Sequence, residues 1–499
     1  MSNEEATMTG TAHSTEDTIW TSHYAPVAVG GTTFHELVLA TAARHGDRVA
    51  FVDGPGGREL TYATLAERAD RVAATLAAGG FGAGDVLALQ APNMAAWAGI
   101  ALGAMSLGGA VTGIPTTATD EDVRRQMADS GAALLIREIG EGLIARPRSA
   151  PRPAVAPGAV ALLPYSSGTS GLPKGVMLTH AQLVTGVRQV LRGIRLTPAD
   201  AVLALAPFSH VMGFVITLGS ALATGARLVT VPRLDPADFI PLLARHRVSV
   251  VIVPPPLMPL LARSPSDLPD VQLIVSGGAP LGAGLQRAVA ERFPHAAVGQ
   301  GWGLTETSAC GTMPDRELGT VPGSAGRLMP NTELRVSDRG ELLLRGPQTT
   351  SGYHERPDAT AELIDADGWV HTGDLGYVDA DGNVFVVDRL KELIKVNALQ
   401  VAPAELEALL GTHPAVAECA VVPRADERCG EVPVAVVVRR APVEPAELIA
   451  FVAERVAPHK RIRDVRFVAA IPRTPAGKIL RRLLRDPDSD RAAAHASYV

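Results

Sequence analysis

The 499 residues carry a formal net charge of −6 with 46% hydrophobic and 20% charged side chains, an ordinary balance for a multidomain globular chain. That charge excludes the basic footprint of a nucleic-acid surface, and the apolar run 250–262, broken by Pro254, Pro255, Pro256 and Pro259, is too short to span a bilayer. Three cysteines, Cys310, Cys419 and Cys429, provide neither a disulfide framework nor a CxxC pair, so a reducing cytoplasm is the expected setting.

Residues 1–20 are acidic and polar; they read as a disordered tail and not as a signal peptide. Beyond them, β-branched runs alternate with Ala/Leu/Arg-rich stretches. Strands are predicted at 49–52, 86–90, 202–206, 227–231, 248–253 and 273–275. A helix is predicted at 65–76 from the spacing of Leu65, Ala69, Val72 and Leu76. The alternation predicts an α/β fold with helices on the sheet faces. A Pro-rich connector, RPRSAPRPAVAPG at 146–158, precedes an apolar run at 159–164 that reads as a buried strand.

That strand leads into YSSGTSGLPKGVMLTH, residues 165–180. Ser166, Ser167, Gly168, Thr169, Ser170 and Gly171, followed by Lys174, gather backbone N–H groups, rotatable hydroxyls and one ammonium, an inventory suited to a polyphosphate. The spacing is not that of a Walker loop, because Pro173 precedes Lys174 and Gly175 follows it. Near residue 320 the character changes. Short runs at 333–336, 340–345, 376–378 and 383–387, with Asp-Gly turns at 367–368 and 381–382, predict a small antiparallel β region. The charged segment DRLKELIK (388–395) then opens an α+β unit to about residue 486, with a helix starting near Pro403 and a tail at 487–499. The expected domains are 21–387 and 388–486, divided at Asp388.

Four further segments offer groups to a nucleotide. GQGWGLTET (299–307) presents the flat face of Trp302 with Thr305 and Glu306. HTGDLG (371–376) presents Asp374, a carboxylate able to accept from ribose hydroxyls. The 388–395 segment supplies Arg389, Lys391 and Lys395, and PRTPAGKILRR (472–482) sets Lys478 after a Pro/Gly turn. Each is ordinary alone: a core tryptophan, a solvated carboxylate, a charged helix face, a surface lysine.

Together, with QVAPAELE, these motifs resemble the adenylate-forming superfamily of acyl-CoA synthetases, adenylation domains and luciferases, and within it the 4-coumarate–CoA ligase-like group, over roughly residues 25–486. The resemblance implies a large N-terminal domain of α/β sheets plus a small β region, and a small mobile α+β C-terminal domain that turns about a hinge at Asp388. It implies ATP, Mg²⁺ and CoA as cofactors and a small-molecule acid as substrate. Ser166–Gly171 and Lys174 would hold the triphosphate, Gly278, Ala279 and Trp302 the adenine side, and Asp374 and Arg389 the ribose. Glu306 would bind the metal and Thr305 the α-phosphate. Lys478 would bridge acid and α-phosphate, with Lys395 and Gln400 as further catalytic positions. His210, Val211, Met212, Gly277 and Gly301 would line the acyl site.

The chain departs from that pattern in three places. Where the family has a Lys-Gly pair beside the pantetheine route, it has Asn397 and Ala398, so a non-CoA acceptor stays open: a carrier-protein phosphopantetheine, or chemistry in which nitrite is activated for attack by an aryl amine. The stretch 130–160 is short. Met212 and Val275 replace polar positions of hydroxycinnamate ligases, which points to a roomy apolar pocket for an aryl (cinnamate-like) or medium-chain acid.

Overall fold

Short valine- and leucine-rich runs supply the strands of three sheets in the larger part of the chain. The computed structural model describes residues 18–53, 57–139, 153–166, 173–316, 318–397, 399–426, 428–474 and 477–485. The first sheet has seven strands in the order Ala297–Gln300, Leu273–Ser276, Val250–Val253, Ala201–Ala204, Arg227–Thr230, Val49–Asp53 and Arg58–Thr61. All neighbours are parallel save the last pair. Val250–Val253 (VVIV) is buried along its whole length, as a central parallel strand covered on both faces must be.

The second sheet runs Leu178–Thr179, Val160–Leu162, Ala110–Gly113, Val86–Leu89 and Ala132–Ile136. Its strand Val160–Leu162 delivers the chain to the phosphate-loop motif. From the far side of that motif starts the helix His180–Ile194, whose Thr179 and Gln182 form a reciprocal capping box. The two sheets meet where Gly113 lies so close to Ser209 that a Cβ there would come within 2.5 Å of the serine Cα. A core with Phe34, Trp97, Phe208 and Phe214 fills the space between their helices.

The third sheet is antiparallel: Ile19–Thr21, Glu333–Val336, Glu341–Arg345, Val370–Val378 and Val384–Arg389. Its first strand corrects the expectation of a tail through residue 20. Ile19 and Trp20 pair with Arg335 and Leu334, and Trp20 packs against the small core under this sheet. An acidic, polar composition hid one apolar pair able to extend a sheet edge.

A smaller unit follows. Gly430–Arg439 pairs antiparallel with Val416–Asp426 and with Ile394–Val396, and parallel with Asp464–Phe467, while Leu399–Val401 closes a hairpin on Ile394–Val396. The helices Pro403–Leu410 and Pro445–Ala453 cover it, and Leu406, Val421, Val437 and Leu448 form a core of its own. The molecule is thus a mixed α/β protein with a large N-terminal part and a small α+β C-terminal part, as expected. Asp388 lies at the end of the third sheet, six residues before the first strand of the smaller unit, Ile394–Val396. Its buried carboxylate accepts from the backbone N–H of Ala404 at 3.0 Å, reaching across to the start of the helix Pro403–Leu410. Among the described residues no helix is long and apolar enough to cross a membrane.

Candidate active site

The neighbouring strands Leu273–Ser276 and Ala297–Gln300 end in register, Ser276 beside Gln300, so the loops that follow emerge together at one edge of the first sheet. In an open parallel sheet this carboxyl edge is where ligands bind. Gly277, Gly278 and Ala279 follow the first strand, with Gly278 at φ +85°, a backbone state that strains a side chain. Gly301, Trp302, Thr305 and Glu306 follow the second, and the backbone N–H of Gly301 donates to Ser276 at 2.9 Å.

Above this edge sits Asp374, inside the strand Val370–Val378 and only 3% exposed. Its Oδ2 accepts from the indole N–H of Trp302 at 2.8 Å, and its Oδ1 meets Nε of Arg389 at 2.8 Å. Arg389 is its register partner on the adjoining strand. Burial pushes the Asp374 carboxyl up from its usual range, while Arg389, Trp302 and Lys478 pull the other way. Lys478 therefore lies in the field of this cluster although it belongs to the smaller unit. Its ammonium is pushed down by burial and by Arg389, against Glu392 and Asp374.

The loop that carries Lys478 is braced. Arg473 is paired with Glu418 and donates to the carbonyl of Gly477 at 2.8 Å, and Thr474 and Lys478 exchange backbone and side-chain bonds. Gly477, at φ +87°, comes so near Pro254 of the larger part that a Cβ would lie 2.7 Å from the proline Cβ. The lysine is thus carried beside Gly477, which is seated against Pro254.

Glu306 is buried at the start of the short 3₁₀ turn Thr305–Thr307. Its Oε1 accepts from the hydroxyl of Tyr353 at 2.7 Å, and the ammonium of Lys174 stands 4.9 Å from the centroid of the same ring. Burial, with Glu306 alongside, pushes the Tyr353 phenol upward, so it remains a donor. Lys174 is held in a two-stranded hairpin, paired with Ser166 across the base of the phosphate loop. Tyr165 at that base donates to Asp129 at 2.7 Å, and Asp129 is also paired with Arg356. Ser167, Gly168, Thr169, Ser170 and Gly171 lie outside the described residues. A single buried carboxylate beside a phosphate loop suits a hard cation that keeps substrate phosphate oxygens as its other ligands, so the donor set fits Mg²⁺.

His210, Val211 and Met212 lie where Ala201–Ala204 runs into the wide π-type helix Met212–Gly219. Asn93 braces the approach, donating to the carbonyls of Ala204 and Ala206 and accepting from the N–H of Phe208, each at 2.8 Å. Burial depresses His210 to about 4, so its imidazole is neutral near neutral pH. The Met212 sulfur lies 3.1 Å from where a Cβ on Gly277 would sit, and the Met313 sulfur 2.8 Å from one on Gly301. The two sulfurs thus pack closely against these two glycines.

Lys395 and Gln400 are register partners on the exposed hairpin of the smaller unit, and the Lys395 N–H donates to Glu431. Among the described residues no hydrogen bond or ion pair joins either to the Asp374 cluster. Asn397 occupies the left-handed region at φ +50°, and its N–H donates to Cys429 at 2.8 Å. Ala398 lies outside the described residues. Tyr353, Asn93 and the Arg473–Glu418 brace carried no local sequence signal; only the fold brings them to the site.

The description AMP-binding enzyme matches residues 38–354, and AMP-binding enzyme C-terminal domain matches residues 405–478. The chain belongs to the AMP-binding enzymes. This AMP-binding enzyme is 38% identical to 4-coumarate–CoA ligase 5 of Oryza sativa subsp. japonica, over 90% of its own length and 94% of the relative's. It lies in the adenylate-forming superfamily, near the 4-coumarate–CoA ligases, and is an enzyme. ATP-bound MatB from Rhodopseudomonas palustris aligns with a TM-score of 0.84 at 26% identity, covering 92% of the chain and all of that structure. Apo MatB, at the same identity and coverage, aligns with 0.73. o-Succinylbenzoate CoA synthetase (MenE) from Bacillus subtilis, in complex with its acyl-adenylate intermediate, aligns with 0.81 at 26% identity over 90% and 98% of the two chains.

Proposed function

We propose that this AMP-binding enzyme is an ATP- and Mg²⁺-dependent acid–CoA ligase that works through a bound acyl adenylate on an aryl or medium-chain carboxylic acid. In the first step a carboxylate oxygen attacks the α-phosphorus of ATP, the bond to the β-phosphate oxygen breaks, and pyrophosphate leaves. In the second the CoA thiol attacks the acyl carbon; AMP departs with the bonding pair and the thiol proton goes to solvent. The supporting observation is the Asp374 cluster, in which a carboxylate of the third sheet meets the indole of Trp302 and the guanidinium of Arg389, within the field of the Lys478 ammonium from the C-terminal unit.

Two anions must meet in the first step, so positioning and charge compensation are the main tasks. Asp374 and Arg389 hold the ribose and Trp302 lies against the adenine with Gly278 and Ala279. The serine- and glycine-rich loop with Lys174 holds the β- and γ-phosphates, Thr305 contacts the α-phosphate, and Lys478 spans the attacking carboxylate and that phosphate. Glu306 would hold Mg²⁺, which when bound offsets phosphate charge. The acyl group sits between neutral His210, Val211 and Met212 on one side and Gly277 and Gly301 on the other. The two units turn about Asp388 between steps, bringing Lys395, Gln400 and the hairpin at Asn397 to the site.

Asn397 favours a second reading. An asparagine replaces the lysine that relatives of this type place by the anionic cofactor, so the acceptor would be a carrier-protein phosphopantetheine, or nitrite would be the activated anion. One assay separates the readings: pyrophosphate and AMP are followed over a panel of acids with and without CoA, and over nitrite with aminoaryl acids, with mass spectrometry of the product. CoA-dependent AMP release with a thioester product is expected. Neither pyrophosphate nor thioester across the panel overturns the proposal, and AMP release with nitrite alone replaces it with the second reading.

A further inference from the structure

Tyr353 touches both halves of the phosphate end of the site. Its hydroxyl takes one oxygen of Glu306, and its ring lies under the Lys174 ammonium. The segment that carries it is stitched to both sides. On the phosphate-loop side Tyr353 bridges Val176, the N–H of Met177 donates to Gly352 at 3.0 Å, and that of His354 donates to Gly175 at 2.8 Å. On the other side the N–H of Thr350 donates to the carbonyl of Glu306 at 2.7 Å. The Tyr353 N–H is itself tied to Oγ1 of Thr360 at 3.0 Å. Gly352, at φ +135°, is pressed against Thr360, where a Cβ would come within 2.5 Å of Cγ2. A phenol fixed in this way holds a carboxylate in one orientation, and with one oxygen occupied the other is the one offered to a cation.

We propose that Tyr353 is a positioning residue, which aims the Glu306 carboxylate at a bound divalent cation and ties that aim to the placement of Lys174 at the triphosphate. The proposal rests on the reading that MgATP binds here. It extends that reading by joining the metal and phosphate subsites through one side chain. Substitution by phenylalanine keeps the ring under Lys174 and removes only the hydroxyl; substitution by leucine removes both.

The test is calorimetric titration of the full chain with ATP, once in EDTA and once in excess Mg²⁺, without acid so that no turnover occurs. In the wild type Mg²⁺ is expected to strengthen binding. Tyr353→Phe is expected to cut that gain about tenfold, the scale of one hydrogen bond to a charged group, while ATP affinity in EDTA stays within about twofold. Tyr353→Leu is expected to weaken both arms, because the cation–ring contact goes too. An unchanged Mg²⁺ gain in Tyr353→Phe overturns the proposal. So does an equal loss in both arms, which would mark a change of loop shape, or a phenylalanine variant that fails to fold by circular dichroism. If the wild type itself shows no MgATP binding, the nucleotide reading fails and takes the proposal with it.

Discussion

The residue on which the proposed chemistry turns is Lys478. Burial and Arg389 push its ammonium down while Glu392 and Asp374 push it up, so it stands in the field of both carboxylates. Lys478→Ala is expected to lower acid-dependent ATP–pyrophosphate exchange by about 10²–10³, the usual loss for one preorganised donor, while MgATP still binds in a calorimeter. Exchange near the wild-type rate would remove the lysine from the reaction. Trp302 carries a separate prediction. Among the described residues its indole N–H is one of two side-chain groups bonded to the buried Asp374 carboxylate, and its ring is half-buried beside the third sheet. Trp302→Phe keeps a flat face and leaves Oδ2 without its donor. The KM for ATP is expected to rise about tenfold with the KM for the acid unchanged, since a hydrogen bond to a charged group contributes about 1.5–3 kcal/mol. Equal changes in both constants would point to a general disturbance instead.

At the scale of elements, the loop 473–478 decides whether Lys478 can arrive. Gly477 has a positive φ and Pro254 at its back, so a methyl there both strains the backbone and pushes the loop from the larger part. Gly477→Ala is expected to slow adenylate formation, read as pyrophosphate release, and to lower the unfolding midpoint of the C-terminal unit by roughly 4–8 °C, the shift for about 1 kcal/mol of backbone strain. A normal rate would mean the seating on Pro254 is not used. Such loops also show what the sequence exposes. VVIV at 250–253 and the Asp-Gly turns were legible because period and turn chemistry are local. Asp374 was legible as a carboxylate able to accept from ribose hydroxyls, but not its place inside the strand Val370–Val378. The hydrogen bond from Tyr353 to Glu306 joins residues 47 apart, and that from Trp302 to Asp374 residues 72 apart. No spacing rule reaches that far. The strand Ile19–Thr21 was missed for a related reason: its partner Glu333–Val336 is remote, and edge pairing leaves no periodic trace in three residues.

At the scale of the whole molecule, the seating of Gly477 on Pro254 and the field of Lys478 at Asp374 agree with the better alignment to the ATP-bound than to the apo form of one relative. Stability of the whole should depend on pH through buried groups on both sides of this junction. His180 and His210 are held near 4 by burial, against 6.5 when free, so the unfolded chain takes up protons that the folded chain refuses. Their contribution is complete above 6.5 and is lost as pH falls towards 4. Asp388 is raised by burial to about 6 from 3.8, so its contribution has the opposite sign: complete below 3.8 and lost as pH rises towards 6. Two histidines against one aspartate leave a net rise of stability between pH 4 and 6 from these three groups. His180→Asn, which keeps an acceptor for the Phe34 N–H now held by Nδ1, is expected to flatten the slope of unfolding free energy against pH by about 1.4 kcal/mol per unit, the weight of one proton. Asp388→Asn is expected to steepen it by about as much, because the group that opposed the histidines no longer titrates. Urea unfolding curves at closely spaced pH values read both changes, and parallel slopes for all three proteins would show that neither burial carries into stability.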